Sequence, residues 1–292
     1  MRYYNRLPTL GPSLLTVGMF DGVHLGHKAL LNSISEHASC LNMQSVVFTF
    51  VDHPSTLLTP SKSKTLIIPL EQRVKLIEDE GIDHVVVYDF TSEFAKQTAD
   101  QFITTLQKHI DAKALFLGYD GKIGSDRKSN QFESIELVRF PPTQKDGKTI
   151  SSSQVRDAIK QGDFKKVSQL LDRPYLLELH QIKGEGVGNK LGFPTLNFKL
   201  HHLTHPPFGV YQVNYWSENT PFKAIANWGF APTFSREGSP VLEVHLLELP
   251  PAITDLSQIE FVRYIRPEMK FKSPEELKAQ IKKDIQNVLE DA

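Results

Sequence analysis

The stretch "VGMFDGVHLGHKALL" (residues 17–31) decides the fold of the first half of the chain. Five apolar residues within Leu14–Phe20 read as a buried strand. Gly26 to about Asn42 reads as a helix with Leu30, Leu31, Ile34 and Ala38 on one face. Between them lie an aspartate, a glycine and two histidines, His24 in the loop and His27 in the first turn. A strand–loop–helix unit aims the unbonded N–H groups and the positive dipole end of its helix at the loop, where a phosphate binds well. The two imidazoles add donors there, and Gly22 and Gly26 would let a ligand approach the backbone. A metal is the alternative, since an i,i+3 histidine pair suits one. Zinc needs three or four ligands, however, and His37 and His53, the nearest candidates, stand in no ligand pattern.

Outward from this unit the first half alternates. Strand-like "SVVFTF" (45–50), "HVVVYDF" (84–90) and "ALFLGYD" (114–120) are separated by helical "PLEQRVKLIEDEG" (69–81) and "TADQFITTLQKHI" (98–110). Strict alternation implies a Rossmann-like parallel sheet with helices on both faces, and such sheets bind ligands beyond the carboxyl ends of their strands. The loops at 18–24, 49–55 and 117–124 should therefore converge on one edge. "DGKIGSDRKSN" (120–130) reads as a mobile loop. In "TISSSQVRDAIKQGDF" (149–164) Ser152 or Ser153 starts a helix. Arg156, one turn in, opposes the helix dipole, which hints at an anionic ligand.

After residue 172 the rhythm changes. Short alternating segments, "LELHQI", "GVYQVNYW", "FKAIANW", "LEVHLLEL" and "IEFVRYI", are broken by glycine or proline turns and suggest a small antiparallel barrel. The tail opens with Ser273 and Pro274 as N-cap and first helical residue and carries Leu277, Ile281, Ile285 and Leu289 at helical spacing. Two domains result, 1–172 and 173–292.

"KGEGVGNKLGFPTLNF" (183–198) is the densest motif of the second half. It has neither the third glycine of a dinucleotide fingerprint nor the lysine–serine end of a P-loop. In its extended end, Thr195 and Asn197 point to one side, and their oxygens suit Mg²⁺ carrying nucleotide phosphates. Lys190 adds positive charge. In "LEVHLLEL" (242–249), Val244 and Leu246 turned to the core would leave Glu243 facing a cavity or water, where it could take a hydroxyl proton.

The chain has 292 residues, 40% hydrophobic and 23% charged, and a net charge of −1. That balance recommends neither a nucleic-acid nor a membrane surface. No signal-like or membrane-length apolar run occurs, and the single Cys40 fits a reducing compartment, so the expected location is the cytoplasm.

These motifs, in order, resemble the bifunctional bacterial riboflavin kinase/FMN adenylyltransferase family. "GMFDGVHLGH" is similar to its nucleotidyltransferase signature and "TISSSQVRDAI" to its ISST-x-IR segment. "GVGNKLGFPTLN", "GVYQV", "NWGFAPTF", "LEVHLLEL" and "RYIRPEMKFKSPEELKAQIKKDI" are similar to its kinase motifs. The resemblance implies that riboflavin and ATP give FMN in the barrel, and that FMN and a second ATP give FAD and pyrophosphate in the first domain. It implies phosphate roles for His24, His27 and Arg156, and ATP contacts at Gly18, Phe20, Gly26, Ser152, Ser153, Gly184, Gly188, Lys190 and Gly192. Flavin contacts fall on Asp120 and Asn227, Mg²⁺–ATP on Thr195 and Asn197, and the kinase base on Glu243. The family's two aromatics in the loop after Gly118 are Gly121 and Ile123 here. The alternative function is therefore a single active module, the kinase, with the other retained for binding or folding.

Overall fold

The computed structural model describes residues 3–4, 6–130, 132–184, 188, 191–230 and 240–290. The chain divides into two compact units, Met1–Ser152 and Ser153–Ala292.

The first unit runs β1 (Tyr3–Tyr4), β2 (Ser13–Val17), α1 (Leu25–Cys40), β3 (Gln44–Phe50), α2 (Ser55–Leu58), α3 (Leu70–Asp79), β4 (His84–Tyr88), α4 (Ala99–Ile110), β5 (Ala112–Gly118), β6 (Glu136–Phe140), β7 (Gln144–Lys145) and β8 (Lys148–Thr149). Six strands form one sheet in the order β1-β4-β3-β2-β5-β6, and every pairing is parallel. Val46, Val47, Val85 and Val86 are wholly buried, as near-continuous apolar strands covered on both faces must be. Helix α1 buries the four residues its spacing predicts, Leu30, Leu31, Ile34 and Ala38. A capping box of Thr98 and Gln101 starts α4.

Strand order reverses at β2. The chain passes from β2 to β3 and β4 on one side, then returns to place β5 on the other. By the general rule for open parallel sheets, the ligand crevice lies at this switch point, beyond the carboxyl ends of β2 and β5 and next to the His24 loop. The expected strands are all present. β1 and β6 add to them; the polar Glu136 and Arg139 and the following Pro141–Pro142 hide the edge strand β6 from a periodicity argument. The 120–130 stretch is not a bare mobile loop. Ile123 pairs with Lys128 in a β-bridge and is buried in the core beside Phe102 and Phe132, and Asp126 accepts the Ala99 amide at 3.0 Å.

The second unit begins with α5 (Ser152–Gln161), which straddles the division, and α6 (Phe164–Leu171). Strands β9 (Leu176–Ile182), β10 (Leu196–Phe198), β11 (Gly209–Ser217), β12 (Thr220–Gly229), β13 (Val241–Leu246) and β14 (Leu256–Arg266) follow, then α7 (Pro274–Glu290). The strands close a barrel in the order β10-β13-β12-β11-β14-β9. Only three residues long, β10 bridges β9 and β13 and completes the closure. Phe164 of α6 stacks on Phe261 and Tyr175 with centroids 5.1 and 5.9 Å apart, tying the helical pair to the barrel.

Ser273 caps α7 as expected, accepting the Glu276 amide at 3.2 Å. The buried stripe is shifted, however. Asp284 and Val288 are buried, while Leu289 is exposed. Asp284 turns inward because Arg266 grips it bidentately, Nε to Oδ1 at 3.0 Å and Nη2 to Oδ2 at 2.7 Å, and Gln280 adds a bond at 2.8 Å. A buried carboxylate so paired is costly to orphan. Asp284→Ala should destabilise the barrel by about 3–5 kcal/mol. Urea unfolding followed by tryptophan fluorescence reads this unit alone, since both tryptophans lie in β11 and β12. A loss below about 1 kcal/mol would show that the pair does not hold the helix.

Candidate active sites

The first site is built on a turn bent against its own sterics. Phe20, Gly22 and Val23 all have positive φ, 49°, 78° and 38°. Glycine takes this freely; a β-branched valine does not, and each such non-glycine residue costs on the order of 1–3 kcal/mol. Asp21, buried in the middle, offsets the cost. Both its carboxylate oxygens accept the Ile67 amide, at 2.9 and 3.1 Å, and its carbonyl accepts the Ser152 hydroxyl at 3.1 Å. The spacing argument singled out the histidines and missed this aspartate.

The bent turn delivers His24 to the start of α1 as its N-cap. The His27 amide donates to His24 Nδ1 at 3.3 Å. Nδ1 is therefore an acceptor, which leaves Nε2 as the ring's donor. His24 and His27 stack with centroids 3.7 Å apart, and Phe20 packs on His27 at 5.2 Å. Two imidazoles are thus held together at a helix N-terminus in the crevice, an arrangement suited to an anion. The room that the glycines leave is taken by the protein itself. A Cβ on Gly22 would meet Ile67 at 3.0 Å, one on Gly26 the His24 ring at 3.2 Å, and one on Gly18 the Phe20 ring at 3.0 Å.

The other loops at this edge follow the parallel strands as expected. A cavity of about 260 Å³ lies between the β3 and β4 loops, lined by Val51, Asp52, His53, Thr56, Leu57, Asp89 and Phe90. Buried Arg73 of α3 supports it from below by donating to the Phe50 and Val51 carbonyls, the latter at 3.2 Å. Asp120 is exposed just past β5. Ser152 is the first residue of α5; Ser153 is exposed and Arg156 buried in the second unit.

In the barrel, strand register makes the site. Asn197 of β10 pairs with Glu243 of β13, and Glu243 pairs with Asn227 of β12. Directly paired residues share a face, so these three polar side chains form one row. Leu242 and Val244 point the other way and are wholly buried. Thr195, two residues before Asn197, falls on the same side. The glycine loop approaches this row closely. A Cβ on Gly184 would lie 2.3 Å from the Asn197 amide nitrogen, and one on Gly188 2.4 Å from the Phe193 carbonyl and 3.3 Å from Thr195 Oγ1. Gly192 turns the chain with φ +86°. Lys190 lies outside the described residues. His245, the next residue along that face, bonds the Pro194 carbonyl at 2.7 Å and braces the threonine–asparagine segment.

Residues 8–154 match the family described as FAD synthetase, and residues 171–291 match riboflavin kinase. The chain belongs to the bifunctional riboflavin kinase/FMN adenylyltransferase family. A relative of that name from Haemophilus influenzae is 34% identical over 284 residues, covering 93% of this chain and 92% of the relative. One from Bacillus subtilis is 32% identical over 289 residues, with 95% and 92% covered. A crystal structure from Streptococcus pneumoniae, described as a macrolide-efflux protein, superposes with a TM-score of 0.78 at 28% identity, covering 98% of this chain and 97% of that one. No helix among the described residues is long and apolar enough to cross a membrane.

The cap geometry makes a prediction independent of activity. Asparagine caps helices as well as any residue, whereas alanine does not. His24→Asn should therefore be more stable than His24→Ala by about 0.5–2 kcal/mol in urea unfolding followed by circular dichroism. Equal stability of the two variants would mean that the ring does not cap α1.

Proposed function

We propose that the barrel transfers the γ-phosphoryl group of ATP to riboflavin, and that the N-terminal sheet transfers the adenylyl group of a second ATP to the resulting FMN. The observation that carries this reading is the row Asn197–Glu243–Asn227, with the glycine loop folded against its end. It sets a carboxylate between two amides, beside a segment suited to a nucleotide. Glu243 takes the proton of the riboflavin 5′-hydroxyl as its oxygen attacks the γ-phosphorus, and ADP leaves. Asn227 meets the flavin.

Thr195 and Asn197 fit Mg²⁺. The Asn197 nitrogen donates to the Thr195 carbonyl at 3.2 Å, which leaves the amide oxygen, a hard donor, for a cation. The ion would supply neutralisation of phosphate charge. Gly184, Gly188, Lys190 and Gly192 contact ATP in this reading.

In the first domain, which we take as residues 1–172, an FMN phosphate oxygen attacks the α-phosphorus of ATP and pyrophosphate leaves. His24 Nε2–H, the His27 ring and the N-terminal amides of α1 meet the charge that builds on the departing group. Gly18, Phe20, Gly26, Ser152, Ser153 and Arg156 complete the ATP site, and Asp120 the flavin site. Both reactions rest on positioning and charge neutralisation, with no covalent enzyme intermediate. The protein works in the cytoplasm and engages neither nucleic acid nor membrane.

The reading predicts separable losses. Glu243→Gln should cut FMN formation by about 10²- to 10⁴-fold and leave FAD formation from supplied FMN within about twofold. His27→Ala should do the reverse, lowering FAD formation by about 10²- to 10³-fold. Both activities falling together in a folded variant would contradict two independent sites.

A further inference from the structure

Arg139 of β6 makes three hydrogen bonds to one loop. Its Nη1 donates to the carbonyls of Gly118 at 2.6 Å and Gly121 at 3.0 Å, and its Nη2 donates to the carbonyl of Ser129. The guanidinium is part-buried, and the acceptors lie at both ends of the 118–129 segment. A planar fork of charged donors is well suited to pin three carbonyls at once, and lysine is not. The segment follows β5, the neighbour of β2, so it leaves the sheet at the same switch-point edge as the β2–α1 turn.

The fastening explains a departure in the sequence. A Cβ on Gly121 would lie 3.2 Å from the Gly118 carbonyl and 3.4 Å from Arg139 Nη1. A side chain at that position would press on the Gly118 carbonyl, Leu117 and the arginine, so glycine lets the fastening close without displacement. The other aromatic position, Ile123, is buried in the core rather than at the crevice. Between the pinned carbonyls of Gly118 and Gly121 stand Tyr119, 51% exposed, and Asp120, also exposed. Such a tip offers a planar apolar surface and a hydrogen-bond acceptor. Lys122 is the nearest cation of the loop, but the tip itself is aromatic and anionic, so it suits a triphosphate less well than the helix N-terminus and two imidazoles that follow β2. A fused ring bearing N–H groups fits it.

We infer that Arg139 is a positioning residue for the acceptor flavin: it sets the loop that recognises FMN during adenylyl transfer. The inference rests on the adenylyltransferase reading of the first domain. Arg139→Gln should raise the KM for FMN by about tenfold or more, the scale of losing a charge-assisted anchor. The KM for ATP and kcat in the same reaction should stay within about threefold, and Arg139→Lys should recover only part of the loss. A variant whose FMN affinity is unchanged would overturn the assignment. So would one whose ATP KM, FMN KM and kcat fail together, since that is loss of the fold. A second measurement needs no variant. FMN added to the unsubstituted protein should slow amide hydrogen exchange across residues 119–122, and ATP alone should not; no protection by FMN would overturn the proposal whatever the variants do. Failure of the unsubstituted chain to make FAD from FMN and ATP would instead remove the adenylyltransferase reading, and the role of Arg139 with it.

Discussion

The hydrogen bonds from the Ile67 amide to Asp21 hold together a turn that would otherwise relax. Phe20 and Val23 sit in the left-handed region, where neither residue type is at ease, and the strain is local to the step from β2 into α1. Releasing it would swing His24 away from the cap position and separate the stacked imidazoles. The same aspartate receives the Ser152 hydroxyl on its carbonyl. A buried carboxylate thus keeps the turn and the helix N-terminus proposed to meet phosphate formed before any ligand arrives. That is the condition for electrostatic preorganisation, in which donors need not be gathered at the moment of reaction.

The barrel reaches the same end by register instead of strain. Pairing fixes Asn197, Glu243 and Asn227 on one face, and a slip of one residue in β13 would bury Glu243 and expose Leu242 or Val244. The apolar core therefore enforces the position of the polar row. Glycine has a matching role at Gly184 and Gly188, where the loop backbone comes too close to Asn197 and Phe193 to admit a side chain. In both units a glycine-bearing loop follows a strand, but the two proposed sites are built by different means. A helix N-terminus with imidazoles stands in one, and a strand row beneath a loop in the other.

Much of this is legible in the sequence because period and punctuation carry it. The valine runs mark the parallel strands, and the evenly broken short segments mark the barrel. Alternation places Glu243 opposite its apolar neighbours. What escapes is whatever depends on partners distant along the chain. Asp284 lies near an apolar stripe and is turned inward by Arg266, a neighbour only once β14 and α7 have packed. His24 is visible as a loop histidine, but its work as a cap needs the φ and ψ of the turn. Arg139 sits in an edge strand whose pattern is weak, and its three carbonyl partners have no side-chain identity to read. The polar composition of residues 120–130 suggests mobility because backbone-directed fastening leaves no compositional trace.

The central claim is that one chain carries out two successive ATP-dependent transfers on two unrelated folds. Its most direct test is to incubate the unsubstituted protein with riboflavin, ATP and Mg²⁺, and to separate the flavins chromatographically over time. FMN should appear first and FAD should follow at its expense, with ADP and then pyrophosphate released in step. Formation of neither flavin nucleotide would contradict the account as a whole, and accumulation of FMN without FAD would contradict its first domain.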